Sequence, residues 1–370
     1  MLASADLRGI DSHGVARLHA YFELLEAKAI EPNPDVKIVT QNGGACVVDG
    51  GNGLGLIVGP AANDIAIRLA REHGVAAVTV RNTNHYGIAG WYSMEASKQG
   101  LIGLSMTNTT KLVAPCFGAE RMLGTNPIAV AVPCKGEADY VMDMATSCVA
   151  YGKVEINHRL GKSVPTGWCI GKDGRSTNDP AEMKDGGALL MLGSDRTRGA
   201  HKGYCLSSWV DIMTAVLSGA NWGPYAPPFA LRDGVDAGQE RDTVGKGIGH
   251  FFMAFDVNSF RPREEFGAEM DKWVRRFKET KPVDPKQPVL IPGDPEREFE
   301  GIRGKEGVPL TLAVVRDLED IAVKIGVSFD RSKSTRQEHL ENMPHGGEAD
   351  PRAANPSKGK ATAAGGGGGV

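Results

Sequence analysis

The chain has 370 residues, 41% of them apolar and 24% charged, with a formal net charge of -3. That is enough sequence for one large α/β domain or two ordinary ones, and the near-balanced charge offers no basic field for a nucleic-acid backbone. No apolar run reaches the roughly eighteen residues of a membrane span, so the expected partners are small molecules, with no nucleic acid and no membrane.

The cysteines (Cys46, Cys116, Cys134, Cys148, Cys169 and Cys205) follow no C-x-x-C spacing. This argues against a zinc site or a disulfide framework and for small buried side chains in a reducing compartment. The N-terminus "MLASADLRGIDSHG" lacks the basic region and long apolar segment of a secretory signal, and a cytoplasmic location is the default.

In chain order, Leu18, Tyr21, Phe22 and Leu25 recur at helical spacing, which predicts a helix to about Ala29, ended by "EPNPD". "ACVVDGG" reads as a short strand, "GPAANDIAIRLAREHG" as an amphipathic helix closed by Gly74, and "VAAVTVRN" as a buried strand. A helix over "GWYSMEASKQG" and strands at "LIGLSMTN", "IAVAVP" and "ADYVMDMA" follow. Strands with so few helices between them suggest a mixed sheet. "KGYCLSSWVDIMTAVLSGA" reads as one long apolar helix, "GHFFMAFDV" as a strand and "EEFGAEMDKWVRRFKE" as an amphipathic helix. From residue 331 the chain is poor in apolar residues and ends in five glycines and a valine, a composition that predicts disorder. The expected organisation is a segment 1–40, an α/β core over 41–330 divided into two lobes, and the tail 331–370.

Several motifs carry possible chemistry. "VVDGGNGLGLIVG" is a strand, a glycine cluster and a helix, but Gly53, Gly55 and Gly59 are spaced G-x-G-x-x-x-G, one residue off the dinucleotide fingerprint. The bland reading is a Gly-rich turn feeding a helix whose first turn contains Pro60. Arg81, near the end of the next strand, would be available to a 2'-phosphate only in the dinucleotide-binding reading. "DSHGVARL" puts Ser12 beside His13, with Arg17 one helical turn further on if the segment is helical, where a guanidinium suits a carboxylate and a solvated helix surface is the plain reading. His85 in "NTNHYG" is either a loop residue or a proton carrier near neutral pH. "GTNPIAV" starts a strand, with Asn126 pushed to an extended conformation by its proline. "DMATS" places Asp143, small residues and hydroxyls at a strand end. Lys202 in "HKGYCL" opens a helix, where its charge is disfavoured unless an anion lies near. "IPGDPERE" reads as a surface turn. Nucleophile elbows, Walker loops and H-E-x-x-H are absent, so no metal is called for.

Taken in order, "ADLRGIDSHGVARL", "RNTNHYGIAGWYS", "LGTNPIAVAVP", "DMATS" followed by "GKV", "HKGYCL", "GHFFMAFD" and "IPGDPE" resemble the type 2 malate/L-lactate dehydrogenase family, which includes ureidoglycolate and sulfolactate dehydrogenases. The resemblance spans about residues 3 to 330. It implies a three-layer α/β fold, a mixed sheet flanked by helices, that binds NAD or NADP in the non-Rossmann, sulfolactate dehydrogenase-like manner. The glycine cluster then becomes a structural turn. The resemblance implies His85 as the acid/base, with Ser12, His13 and Arg17 on the substrate side and Arg17 holding the C1 carboxylate. It places Thr109, Asp143, Met144, Ala145, Lys202, Gly293 and Asp294 at cofactor contacts. Lys202 thereby acquires its anion.

Family members usually carry several tens of helical residues ahead of this motif, whereas here Met1 falls almost at it, so those helices are expected to be missing. Cys205 stands where a glycine is usual after K-G-Y. The implied reaction is hydride transfer between nicotinamide and a small 2-hydroxy or 2-oxo acid, with malate/oxaloacetate first and lactate, ureidoglycolate, sulfolactate or a cyclic imino acid as alternatives. Lys111 is a candidate partner for a second carboxylate, and a homodimer is expected. A Rossmann-type NADP reductase and a non-catalytic metabolite-binding protein remain as readings from other classes.

Overall fold

A computed structural model describes residues 1–230 and 242–330. The region expected to be a disordered tail lies outside the described residues. The chain opens with α1 (Leu2–Leu7), two 3-10 turns (Asp11–His13 and Val15–Arg17) and α2 (Leu18–Glu26). Next come β1 (Lys37–Asn42), β2 (Ala45–Gly53), α3 (Gly55–His73), β3 (Val75–Thr83), α4 (Ala89–Lys98) and β4 (Leu101–Thr107). After these are β5 (Ile128–Val132), β6 (Tyr140–Met144), α5 (Tyr151–Arg159), β7 (Cys169–Ile170), β8 (Ser176–Thr177), α6 (Pro180–Lys184) and β9 (Ala188–Leu189). The chain continues through α7 (Ala200–Asp211), a π turn (Ile212–Val216), β10 (Ile248–Asp256), α8 (Arg263–Lys278), α9 (Asp294–Glu306) and α10 (Leu312–Ile325). Two compact units result. One comprises Met1 and Leu18–Gly293, the other Leu2–Arg17 with the described residues from Asp294 onward.

The first unit is organised by a seven-stranded sheet in the order β1-β2-β3-β10-β4-β5-β6. Only β2 and β3 are parallel neighbours, and every other adjacent pair is antiparallel. The sheet is therefore mixed, as the scarcity of crossover helices led one to expect, and it is not the parallel sheet of a doubly wound dinucleotide-binding fold. Its pairing makes β2, β3, β4 and β6 run in one direction, so their C-terminal ends emerge at the same end of the sheet.

Helices cover both faces. Along β10 the pleat sends Phe252 and Ala254 into the core shared with α3 and α4, while Phe251 joins Val210 of α7 and Ile128 on the opposite face. The helix expected as one run over residues 202–220 is α-helical only to Asp211 and then widens into the π turn. There Gly249 of β10 lies so close to the carbonyl of Thr214 that no side chain would fit. Pro60 is the sixth residue of α3 rather than a first-turn residue, because the helix already begins at Gly55.

The glycines after β2 are consumed by packing. A Cβ on Gly53 would press on the Pro34 ring, 2.5 Å away, and one on Gly55 would collide with the carbonyl oxygen of Asn84 and approach that of His85 to 2.7 Å. Arg81 is paired with Asp49 at 3.1 Å. This cluster is the structural turn of the bland reading.

Five elements named here escaped the sequence pattern. β1 is exposed along its whole length, so it shows no alternation. β7, β8 and β9 are two residues each, too short to carry a period, and pair in a separate sheet. "IPGDPERE", expected as a turn, opens α9 instead. Pro295 is tolerated at a helix start, and Asp294 and Glu296 in the first turn with Arg303 and Lys305 in the last complement the helix dipole. In the second unit α9 and α10 stand with α1 and the two 3-10 turns.

Gly55→Ala should lower unfolding free energy by about 1–3 kcal/mol through overpacking, read as a reduced denaturant midpoint. It should also shift the amide resonances of Asn84, His85 and Tyr86, whose backbone the new methyl would displace.

Candidate active site

His85 lies in the short loop that links the C-terminal end of β3 to the start of α4. The loop is fixed on both sides of it. Asn84 donates through Nδ2 to the carbonyls of Gly53 (3.0 Å) and Asn52 (3.1 Å). Tyr86, fully buried, is sandwiched between Tyr92 and His250, with ring centroids 4.6 Å and 4.5 Å away and nearly parallel planes. Its hydroxyl meets Ser105 Oγ at 3.0 Å, and Tyr92 Oη donates to the Tyr86 carbonyl at 2.6 Å. Two stacked rings and a hydrogen bond to the backbone leave the residue after His85 no freedom.

The imidazole itself is oriented by Tyr21 of α2, whose hydroxyl lies 2.6 Å from His85 Nδ1. Tyr21 is 1% exposed. Phe229 flanks the ring, its centroid 5.4 Å away, and is anchored by its own N–H to Thr110 Oγ1 at 3.1 Å. The Gly87 N–H also lies 3.4 Å from Nδ1, so the ring is held at this nitrogen by a side chain and by the backbone of its own loop.

The sheet brings four of the expected cofactor contacts to the same end of the first unit. Thr109 follows β4, while Asp143, Met144 and Ala145 close β6 and step beyond it. Asp143 Oδ2 accepts the Gly90 N–H at 2.8 Å, seating a carboxylate on the first turn of α4. Lys202 is exposed in the first turn of α7. The next residue, Gly203, packs on Leu192, whose N–H bonds the Thr146 carbonyl at 2.9 Å, so this turn is tied to the segment just past Ala145. Gly293 does not join them. Its neighbour Pro292 accepts from Val141 N–H at 3.1 Å, near the start of β6. Asp294 belongs to the other unit and pairs with Arg297 at 2.6 Å.

In the second unit, Ser12, His13 and Arg17 occupy two 3-10 turns broken at Gly14 rather than a continuous helix. Ser12 Oγ meets His13 Nδ1 at 2.9 Å, and Arg17 Nε donates to the Ser12 carbonyl at 2.6 Å. Burial, reinforced by the Arg17 guanidinium, pushes the His13 pKa down to about 4. At neutral pH this turn therefore presents a neutral imidazole and a hydroxyl beside one permanent cation. Lys111 is exposed.

Sequence reasoning missed two groups. Tyr21 was counted only as part of an apolar helix stripe, and "GHFF" only as a strand. His250 is completely buried, its Nδ1 2.8 Å from Thr107 Oγ1 and its Nε2 without a hydrogen-bond partner among the described residues. Burial lowers its pKa to about 3, with the backbone of Asn84 and of Gly249 opposing. Among the described residues no group of three His, Cys, Asp or Glu side chains could hold a metal ion.

The donor set suits a nicotinamide dinucleotide. Lys202, an exposed cation whose side chain makes no hydrogen bond or ion pair to another described residue, matches a phosphate, and the Thr109 hydroxyl and Asp143 carboxylate match sugar hydroxyls. A hydrogen-bonded imidazole and such a set, both at the ends of like-directed strands, are compatible with a dehydrogenase-type site.

The comparisons with known proteins agree on the class. Residues 1–319 match the malate/L-lactate dehydrogenase family, and the chain belongs to it. It is 38% identical to a malate dehydrogenase of Pyrococcus horikoshii over 327 residues, covering 88% of this chain and 87% of that one. To an L-sulfolactate dehydrogenase of Methanocaldococcus jannaschii it is 35% identical over 331 residues, 89% and 90% of the two chains. The crystal structure of malate dehydrogenase from Entamoeba histolytica superposes with a TM-score of 0.80 at 34% identity, covering 89% of this chain and 90% of that one. The chain is thus an oxidoreductase, the expected fold is borne out, and the family implies a nicotinamide cofactor. No described helix is long and apolar enough to cross a membrane.

Tyr21→Phe should lower turnover by about one to two orders of magnitude by freeing the imidazole, with cofactor affinity in a fluorescence titration unchanged. The neutral His250 stabilises the fold above the ordinary histidine pKa, and that contribution is lost as pH falls from about 6.5 toward 3, because the unfolded chain takes up the proton first. His250→Phe should therefore flatten the loss of urea resistance between pH 6.5 and 4.5.

Proposed function

We propose that this enzyme interconverts a small 2-hydroxy acid and its 2-oxo acid, with malate and oxaloacetate as the favoured pair. The observation that supports the reading is the 2.6 Å hydrogen bond between the Tyr21 hydroxyl and His85 Nδ1, which orients the imidazole. When bound, the cofactor, NAD or NADP, gives or takes the hydride at substrate C2. Protonated His85 donates to the substrate carbonyl oxygen during reduction, and in oxidation the neutral ring takes the hydroxyl proton, while Tyr21 holds the ring at Nδ1.

Arg17 takes the C1 carboxylate, with Ser12 and neutral His13 as hydrogen-bonding neighbours, and Lys111 takes the second carboxylate of malate. Thr109, Asp143, Met144, Ala145 and Lys202 contact the cofactor. The malate dehydrogenase relatives support this substrate. The sulfolactate dehydrogenases support a second reading in which the same cation meets a sulfonate. A homodimer is favoured by the exposed stripe of Trp209, Ile212 and Val216 along α7 and the π turn, and the reading places the enzyme in the cytoplasm.

NADH and NADPH oxidation against a panel of 2-oxo acids tests the proposal. His85→Ala should cut turnover by about two to four orders of magnitude with cofactor binding retained. Unchanged turnover would overturn the assignment.

A further inference from the structure

We infer that Asp6 and Arg303 are positioning residues for the turn that carries Ser12, His13 and Arg17, each holding one half of it. The inference rests on the proposed role of that turn in binding the substrate carboxylate. All the residues involved lie in the second unit.

Asp6 sits in the last turn of α1 and is only 3% exposed. Its Oδ2 accepts the N–H of Val15 at 2.8 Å, and its carboxylate occupies the space that a side chain on Gly14 would need. Gly14 in turn accepts the N–H of Arg17 at 3.0 Å. Asp6 thus fixes the half of the turn that delivers the guanidinium.

Arg303, in the last turn of α9 and 7% exposed, fixes the other half. Its Nη1 donates to the Asp6 carbonyl and to Asp11 Oδ1, and its Nη2 donates to Asp11 Oδ2 at 3.1 Å. Asp11 heads the 3-10 turn that contains Ser12 and His13. The Phe299 ring lies 5.1 Å from the guanidinium carbon and also fills the space beside Gly9, whose φ is +77°. A planar fork is needed to reach one carbonyl and two carboxylate oxygens at once. Burial raises the Asp6 pKa to about 6, the Val15 N–H and Arg303 opposing and Asp11 adding to the rise. An amide at position 6 would keep the acceptor for Val15 without the buried charge.

The experiment measures KM for oxaloacetate, kcat, and NADH affinity by fluorescence, together with thermal stability, in Asp6→Leu, Asp6→Asn, Arg303→Lys and Arg17→Lys. Asp6→Leu and Arg303→Lys should raise KM about tenfold or more with NADH affinity within about twofold of the parent, and Asp6→Asn should recover most of the loss. Should Asp6→Leu fail to fold, Arg303→Lys with Asp6→Asn carries the same comparison. An unchanged KM in Arg303→Lys, or equal losses in Asp6→Leu and Asp6→Asn, would overturn the positioning role. Arg17→Lys separates the two levels: if it leaves KM unaltered, the carboxylate-binding reading of the turn has failed. If it raises KM while Arg303→Lys does not, only the clamp has failed.

Discussion

A single hydrogen bond, Tyr21 Oη to His85 Nδ1 at 2.6 Å, gives the rest of the first unit its chemical meaning. An imidazole on a loop has two nitrogens and a rotatable ring, and without a partner it would present either one. The tyrosine removes that choice. It can do so because it is itself buried and borne on a helix, where side-chain direction follows from the backbone. The stacked rings of Tyr92, Tyr86 and His250 then act on the backbone of the loop, and the Asn84 amide acts from the other side. The cost of this arrangement is a histidine buried in the core and kept neutral.

The mixed topology explains why the candidate residues meet at all. β10 inserts between β3 and β4 and runs against both, which leaves the strands that end in Thr83, Thr107 and Met144 pointing the same way. A parallel sheet achieves the same result with crossover helices. Here the gathering of strand ends is achieved mostly with antiparallel neighbours, and the glycine-rich turn after β2 is freed from phosphate binding to pack against the His85 loop.

The second unit solves a different problem. Its polar turn must hold a cation, a hydroxyl and an imidazole within a few residues, in a segment too short for a regular helix. The chain supplies rigidity from outside the turn, through a buried carboxylate at one end of the sequence and a guanidinium nearly three hundred residues later. Gly14 is required where the Asp6 carboxylate approaches, and no local propensity would reveal it.

Much was legible in the sequence. Local patterns placed α3, β3, α4, β4, β5, β6, β10 and α8 to within a few residues, because apolar periodicity and capping glycines are properties of neighbouring residues. The ordered motifs identified the family, and through it the reaction class and the candidacy of His85. β1, α9 and the two-residue strands were not legible, since their patterns are weak or their composition resembles a turn. Tyr21, His250, Asp6 and Arg303 drew no notice as site residues because each acts on a group 9 to 297 residues away. The sequence by itself determined most of the core elements and the family. Only the tertiary structure decided the strand order, the partners that orient His85 and the clamps on the turn. Those depend on hydrogen bonds and packing between segments that no local spacing brings together.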